Sequence, residues 1–374
     1  MIESLDTSAL PAMPAPFWFV QFFKVLGFIL HMVPMNLWFV GMVLAVLFCK
    51  RAGYAREWAE RLGTQMPVIV AFGVNFGIVP LLFIQVAYPW AFYPATILTA
   101  WFWFSIVILL IFAYYGVYAF AFGLKAKTQA MQAWRYAAGW IAAGLFLVMG
   151  LLFCNGFSLM ASPDHWKPLW LGHNVAGAAT GTAHNFADPS LWLRWSLMLG
   201  LAMLTTAAYT VVDAACFVKT DRNEYRLWAA GFAWRLSLVG VVVTTAAGAA
   251  YVWGTWPRDL LSYMTSGSRL PLTVLTAVSP VLPVAVLTLF RNRAADVVAA
   301  GAVGGSQIVV LALNAVSRQV VQNLEIAPYG KVWEVPQSPD WGPMVLFLVT
   351  FVLGVAVIGW MLAQVVRSAK VSAP

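Results

Sequence analysis

Charge is what this sequence has least of: 22 Lys and Arg and 14 Asp and Glu make up only 10% of 374 residues. Hydrophobic residues make up 62%, and the mean hydropathy is +0.80. A water-soluble domain carries charge on about a quarter of its positions, so that class is excluded. Cysteine is scarce too. Cys49, Cys154 and Cys216 lie within or at the end of apolar runs, with no CxxC or CxxCH spacing. That excludes covalent c-type haem attachment, an iron–sulfur cluster and a zinc knuckle encoded by this chain; the three read as small packing residues. No Lys or Arg precedes Lys24, so the basic region of a secretory signal is missing and the first apolar run is expected to stay in the mature protein. Soluble domains and internal repeats are also absent.

What the chain has in abundance is apolar runs of membrane-spanning length, since a hydrocarbon core of roughly 30 Å takes about 20 helical residues to cross. The runs predict nine spans, at about 19–48, 66–88, 95–123, 136–160, 192–217, 229–253, 270–290, 296–317 and 343–366. The expected fold is therefore an all-α, polytopic transmembrane bundle in which residues 1–374 form one integral membrane domain. Alternate connections hold Lys50, Arg51, Arg56 and Arg61, then Lys125, Lys127 and Arg135, then Lys219, Arg222 and Arg226, then Arg291 and Arg293, and finally Arg367 and Lys370. These are fourteen of the 22 basic residues. The positive-inside rule makes that side cytoplasmic, with the N-terminus outside and the C-terminus inside. The net charge of +8 is thus a matter of topology, and nucleic acid is not an expected partner.

Two connections on the opposite side are long, at about 161–191 and 318–342, and rich in Gly, Pro, Asn and aromatics. Loops beyond about 15 residues are uncommon unless they serve a purpose, so these are expected to cap the bundle or dock a partner. Trp18, Trp90, Tyr93, Trp101, Trp103, Trp166, Trp170, Trp192, Trp195, Trp253 and Trp256 gather near the expected interfaces. They read as an aromatic belt, with a minority open to flanking a cofactor.

One histidine lies inside a span, His31 in FILHMVPMNLWFVGMVL. Counting 20 residues back from Cys49 places it close to the external surface, with Lys24 outside or snorkelling. Three readings stand beside each other: a ligand to haem iron, a quinone or proton-handling group, or a hydrogen bond to a neighbouring helix through Asn75 or Gln85. The other histidines, His165, His173 and His184, share the loop at 161–191. They read as solvated loop residues or, if His31 ligates haem, as the source of an imidazole that approaches it and completes the axial pair of a b-type haem. Met35, one turn from His31 on the same face, cannot take the opposite side of such a haem. Asp213 and Arg235 fall at similar depth on spans five and six and are expected to form a structural ion pair, with a proton path or quinone site as the other option. Pro80, Pro271, Pro280 and Pro283 predict kinks in spans two and seven. Asn314, Ser317, Arg318, Gln319 and Gln322 read as span eight leaving the membrane, with the lining of a cleft as the other option.

The first two spans resemble the start of the large subunit of cytochrome bd-type quinol oxidases. The likeness rests on FILHMVPMNLWFVGMVL at 28–44, a histidine followed by a proline and an asparagine, and on FGVNFGIV at 72–79. It covers 60 to 70 residues. By this resemblance His31 ligates a haem near the external face. The chain has no GRQPW-like signature, no further haem ligand within a span and no quinol loop in the corresponding place, so the resemblance implies a pared-down relative. The expected function is an integral subunit of a quinone/cytochrome oxidoreductase in a bacterial inner membrane. It would hold haem b or quinone and exchange electrons with a periplasmic, multihaem cytochrome c or another redox subunit in a hetero-oligomeric complex. A secondary transporter and a cofactor-free anchor or scaffold are the alternatives; against the former, the spans lack a midplane carboxylate chain and a matched pair of interrupted helices.

Overall fold

The computed structural model describes residues 6–126 and 131–371, except for the side chains of 362 and 365–371. The protein is an all-α polytopic bundle. Among the described residues eight helices are long and apolar enough to cross a membrane, and a bent pair brings the number to nine when it is counted as one span. Lys127 and the side chains of Arg367 and Lys370 lie outside the described residues.

The first span is a composite. Helix α1 (Phe17–Asn36) contains Pro34, a five-residue π-helical turn follows over Leu37–Gly41, and α2 (Met42–Phe48) completes the 32 residues. Pro34 has no N–H to give to the helical ladder, and a π turn is a common way for a helix to absorb such a fault. Asn36 sits at the junction. Then come α3 (Tyr54–Ala87), the short α4 (Pro89–Leu98), α5 (Ala100–Lys125), α6 (Ala133–Ala161), the short α7 (Trp166–Gly172), α8 (Pro189–Phe217) and α9 (Asn223–Thr255). The chain ends with α10 (Arg258–Met264), the pair α11 (Leu270–Val278) and α12 (Val281–Phe290), α13 (Val297–Ile326) and α14 (Trp341–Val371). The α11–α12 break bends by 42° beside Pro280 and Pro283, as the prolines predict.

Helix α8 is the hub, packed on α9, α13, α6, α1 and the π turn. Its approach to α9 depends on Gly200, where a Cβ would lie 2.6 Å from the Thr244 backbone nitrogen. Close backbone contact through small residues is the usual means of helix association in lipid. By contrast, only 6% of the Trp341–Met361 stretch of α14 is buried.

The basic connections meet at one end. There Arg61 pairs with Asp213, Arg222 with Glu57, and Arg226 caps the Ala214 and Ala215 carbonyls. That end is called cytoplasmic here after the charge rule, and the other external. At the external end residues 6–16 lie along the connection after α13: Met13 N–H donates to Pro336 O at 2.7 Å and Ser338 N–H to Met13 O at 2.9 Å. Over the connection from α6 to α8 run α7 and a two-residue hairpin, whose turn residues Ala176 and Gly177 both have positive φ, 51° and 82°, as a type I′ turn requires.

On the external side two boundaries differ from expectation by more than three residues. The third span begins at Ala100, because α4 is a separate external helix ending at Leu98. Span eight runs nine residues beyond 317, so the external connection begins after Ile326. Its polar residues face inward: Ser317 and Gln319 are each only 9% exposed. Their polarity reflects an internal network, where the sequence suggested an exit from the membrane.

Candidate functional site

Two polar layers bound the apolar slab. On α8, Arg194 belongs to the external layer and Asp213 to the cytoplasmic one. They are 19 residues, about 28 Å, apart, close to the roughly 30 Å of hydrocarbon.

In the external layer Lys24 is buried, not snorkelling. Its Nζ lies 2.5 Å from Gln322 Oε1 and 4.4 Å from the Tyr88 ring centroid. The neighbouring residue Gln319 donates to the Tyr88 hydroxyl at 2.7 Å, and that hydroxyl also bonds Asn323 Oδ1. Beside them Arg194 Nη2 meets Glu325 Oε1 at 2.7 Å, and Tyr251 donates to the same oxygen at 3.1 Å. Arg318 stands apart. Its guanidinium lies over Phe28 at 4.3 Å and Phe157 at 5.5 Å, with no hydrogen bond or ion pair among the described residues. It is within electrostatic reach of Lys24, His31 and Arg194. The guanidiniums of Arg194 and Arg318 and the buried amine of Lys24 thus gather with one carboxylate, Glu325, among α1, α6, α8 and α13.

His31 lies seven residues, about 10 Å, further in than Lys24 on α1. That is deeper than the expected position at the surface, because α1 starts at Phe17 and the slab begins at Lys24. Its Nδ1 is 2.8 Å from Gly73 O. A carbonyl only accepts, so Nδ1 carries the proton and Nε2 keeps its lone pair. No hydrogen bond reaches Nε2 among the described residues. The ring rests on α3 where Gly77 has no side chain, and meets Trp38 edge-on at 5.9 Å between centroids.

Several expected pairings are corrected. Asn75 is exposed on the bundle surface and donates to Ala71 O on its own helix, and Gln85 likewise donates to Leu81 O; His31 bonds a backbone carbonyl instead of either amide. The loop imidazoles are engaged within the loop: His165 Nδ1 with Asn185 Oδ1 at 2.9 Å, His173 Nδ1 with Leu169 O at 3.0 Å, and His184 stacked on Phe186 at 4.8 Å. None is brought to His31. Among the described residues no group of three His, Cys, Asp or Glu is placed to hold a metal ion. Asp213 pairs with Arg61, not with Arg235: Arg61 Nε and Nη2 reach the two Asp213 oxygens at 2.6 and 2.9 Å, and Gln65 donates at 3.1 Å. Arg235 is exposed on α9, because depth matching does not fix the face of a helix. Trp18, Trp101 and Trp253 are exposed on the perimeter, as a belt requires, whereas Trp195 packs against Phe39 and donates to Leu147 O.

A six-coordinate haem does not fit this donor set. The ligand expected from the loop is not delivered, and Met160 and Met198 already contact Gln322 and Cys154. The groups present match in kind what a quinone head group would need: guanidinium donors on Arg318 without a hydrogen-bond partner among the described residues, a lone pair on His31 Nε2, and the aromatic rings of Phe28 and Phe157 beside them. A separate apolar cavity of about 420 Å³ opens between α4 and α7, walled by Pro94, Ile97, Trp166, Lys167 and Trp170; His31 is not on its wall.

At the external end the Tyr329 hydroxyl donates to Asp164, tying the end of α13 to the loop after α6. Desolvation first, and then the Asp164 carboxylate, push the phenol up to about 12. The unfolded phenol ionises near pH 10. A raised folded value makes this contribution full below pH 10 and lost as pH passes 12. Unfolding followed between pH 9 and 12 is expected to show this alkaline loss in the wild type and not in Tyr329→Phe.

No protein-family model matches the chain, and no curated protein matches it.

Proposed function

We propose that the protein is the membrane-embedded subunit of a bacterial respiratory electron-transfer complex and binds a quinone head group between α1, α6 and α13. The observation that carries this is the pairing of an unpartnered Arg318 guanidinium with a free His31 Nε2 in the external half of the bundle. A quinone supplies two-electron, two-proton redox chemistry when bound. Arg318 donates to one head-group oxygen and stabilises negative charge there, more strongly than in water because the surroundings are apolar. His31, held by Gly73, accepts a proton from the hydroxyl of the reduced form. The redox partner would be a periplasmic cytochrome c, multihaem or otherwise, or another redox subunit seated on the external connections 162–188 and 327–340, exchanging electrons with the bound quinone. The complete oxidoreductase then needs both chains.

A second reading draws on the same imidazole. Nδ1–H on a carbonyl with Nε2 free is how a metal-bound histidine is oriented, so a b-type haem with His31 as its one protein ligand is the alternative cofactor.

Quinone content after solvent extraction, and quenching of tryptophan fluorescence by short-chain ubiquinone and menaquinone analogues, test the proposal. Saturable binding is expected in the wild type, weakened about tenfold or more in Arg318→Gln and His31→Ala, a loss of about 1.4 kcal/mol or more. No bound quinone together with no saturable quenching, or equal affinities in all three proteins, would overturn it. A reduced-minus-oxidised b-type band that disappears in His31→Ala would transfer the site to haem. Substrate-dependent conformational change without either cofactor would point to the transporter class.

A further inference from the structure

Three buried residues take no part in the site above. Asn36 on α1, Thr205 on α8 and Gln307 on α13 are 0, 4 and 2% exposed. Asn36 Nδ2 donates to Thr205 Oγ1 at 2.8 Å, Gln307 Nε2 donates to the same oxygen at 2.9 Å, and the Thr205 hydroxyl donates to Leu201 O at 2.9 Å. That hydroxyl has one proton and two lone pairs, and all three are used. Neither amide can therefore be turned round. Asn36 Oδ1 and Gln307 Oε1 are left buried with no partner among the described residues, a condition native proteins rarely leave unmet.

Two carbonyl oxygens suit either a monovalent cation or water. No carboxylate belongs to this group, and two neutral oxygens are far fewer than the rings of carbonyls that replace a cation's hydration shell. Water donates to both oxygens without bringing charge, which is the usual answer to buried acceptors.

The group also stands between two others. Four residues along α8, about 6 Å toward the cytoplasm, the Tyr209 hydroxyl donates to Gln65 Oε1 at 2.7 Å, and Gln65 donates to Asp213. Five residues back along α1, about 7.5 Å, is His31. Measured along the helix axes, each step has the length of one or two water molecules. We propose that Asn36, Thr205 and Gln307 bind internal water, and that this water is the middle stage of a proton path between the Arg61–Asp213 group and His31. Each hop breaks one O–H bond and forms another, with no change of oxidation state. Beyond His31 the guanidiniums of Arg194 and Arg318, set against the single carboxylate of Glu325, leave an excess of positive charge that repels a proton, as cationic barriers do in selective pores. The path therefore opens to the cytoplasmic side alone. The water site stands without a quinone; its role in carrying off the proton that His31 accepts rests on the quinone proposal above.

The full chain in phosphatidylcholine–phosphatidylglycerol vesicles, with entrapped pyranine and a potassium diffusion potential set by valinomycin, tests the path without any quinone. Wild-type vesicles are expected to be as proton-tight as protein-free ones. Arg318→Gln removes part of the barrier and is expected to leak, and adding Thr205→Val, which releases both amides at constant volume, is expected to restore tightness. A tight Arg318→Gln variant, or a double variant that leaks as fast as the single one, overturns the proposal. Hydrogen–deuterium exchange keeps the water site testable if Arg318→Gln does not fold: the Leu37–Gly41 amides should exchange faster in the wild type than in Thr205→Val, and equal rates overturn it. Because no assay here contains quinone, a failed quinone titration leaves these outcomes unaffected.

Discussion

Arg61→Leu is expected to destabilise the protein by about 3–5 kcal/mol, the usual cost of stranding one partner of a buried ion pair. The Asp213 side chain is 1% exposed and that of Arg61 is 25% exposed, so the two partners are not equivalent. Without Arg61, the carboxylate keeps only Gln65 and has no route to water. Without the carboxylate, Arg61 still reaches solvent and the Phe217 carbonyl at 3.3 Å. Asp213→Asn should therefore cost less, about 1–3 kcal/mol. Arg235→Ala, on an exposed face, should stay within about 0.5 kcal/mol. Titration of each variant with dodecyl sulfate in mixed micelles, followed by tryptophan fluorescence, ranks them. Equal losses for Arg61→Leu and Arg235→Ala would show that Asp213 is not held as described.

The mistaken Arg235 assignment shows where a single sequence stops. Hydropathy alone places nine spans, because the bilayer imposes length and polarity on every crossing helix. The kink beside Pro280 and Pro283 is equally legible, since it follows from a missing N–H. Which face of a span turns inward is not legible in the same way. Spans α5 and α6 are apolar almost all round, and no period marks the buried side. Asp213 was visible as a charge needing a partner, but α3 and α9 both offered an arginine at suitable depth. For α13 a signal was present: Asn314, Arg318 and Gln322 recur at four-residue spacing, as an inward polar stripe does. Ser317 and Gln319, being buried, extend that stripe and explain why the helix continues to Ile326. On α8, Arg194, Thr205, Tyr209 and Asp213 form a similar stripe, and its spacing was equally readable. His31 was rightly singled out, whereas its partner, a backbone carbonyl, carries no side-chain signature. Asn36 was noticed only as part of a family likeness, and its place against Thr205 and Gln307 depends on the π turn, which no local pattern announces.

The largest separation of stability from binding is expected at two glycines of α3. At Gly73 a Cβ would sit 2.1 Å from Cζ3 of Trp38, whose ring is stacked on Phe146 at 5.5 Å and cannot retreat. Gly73→Ala is therefore an overpacking substitution, expected to cost about 3 kcal/mol, the upper part of the usual range. At Gly77 a Cβ would lie 2.8 Å from both Cε1 and Nδ1 of His31. The imidazole there is partly exposed and able to move. Its displacement breaks the bond to Gly73, while alanine in a helix regains about 0.5–1 kcal/mol over glycine. Gly77→Ala should then unfold close to the wild type yet bind quinone analogues about tenfold more weakly. Gly144→Ala, with nothing within 4 Å of its Cβ, should gain stability and leave binding unchanged. If His31 is the group that Gly77 positions, the losses from Gly77→Ala and His31→Ala will not add in a double-mutant cycle. Full additivity, or undiminished binding in Gly77→Ala, would mean that the seat of the imidazole has no bearing on the ligand.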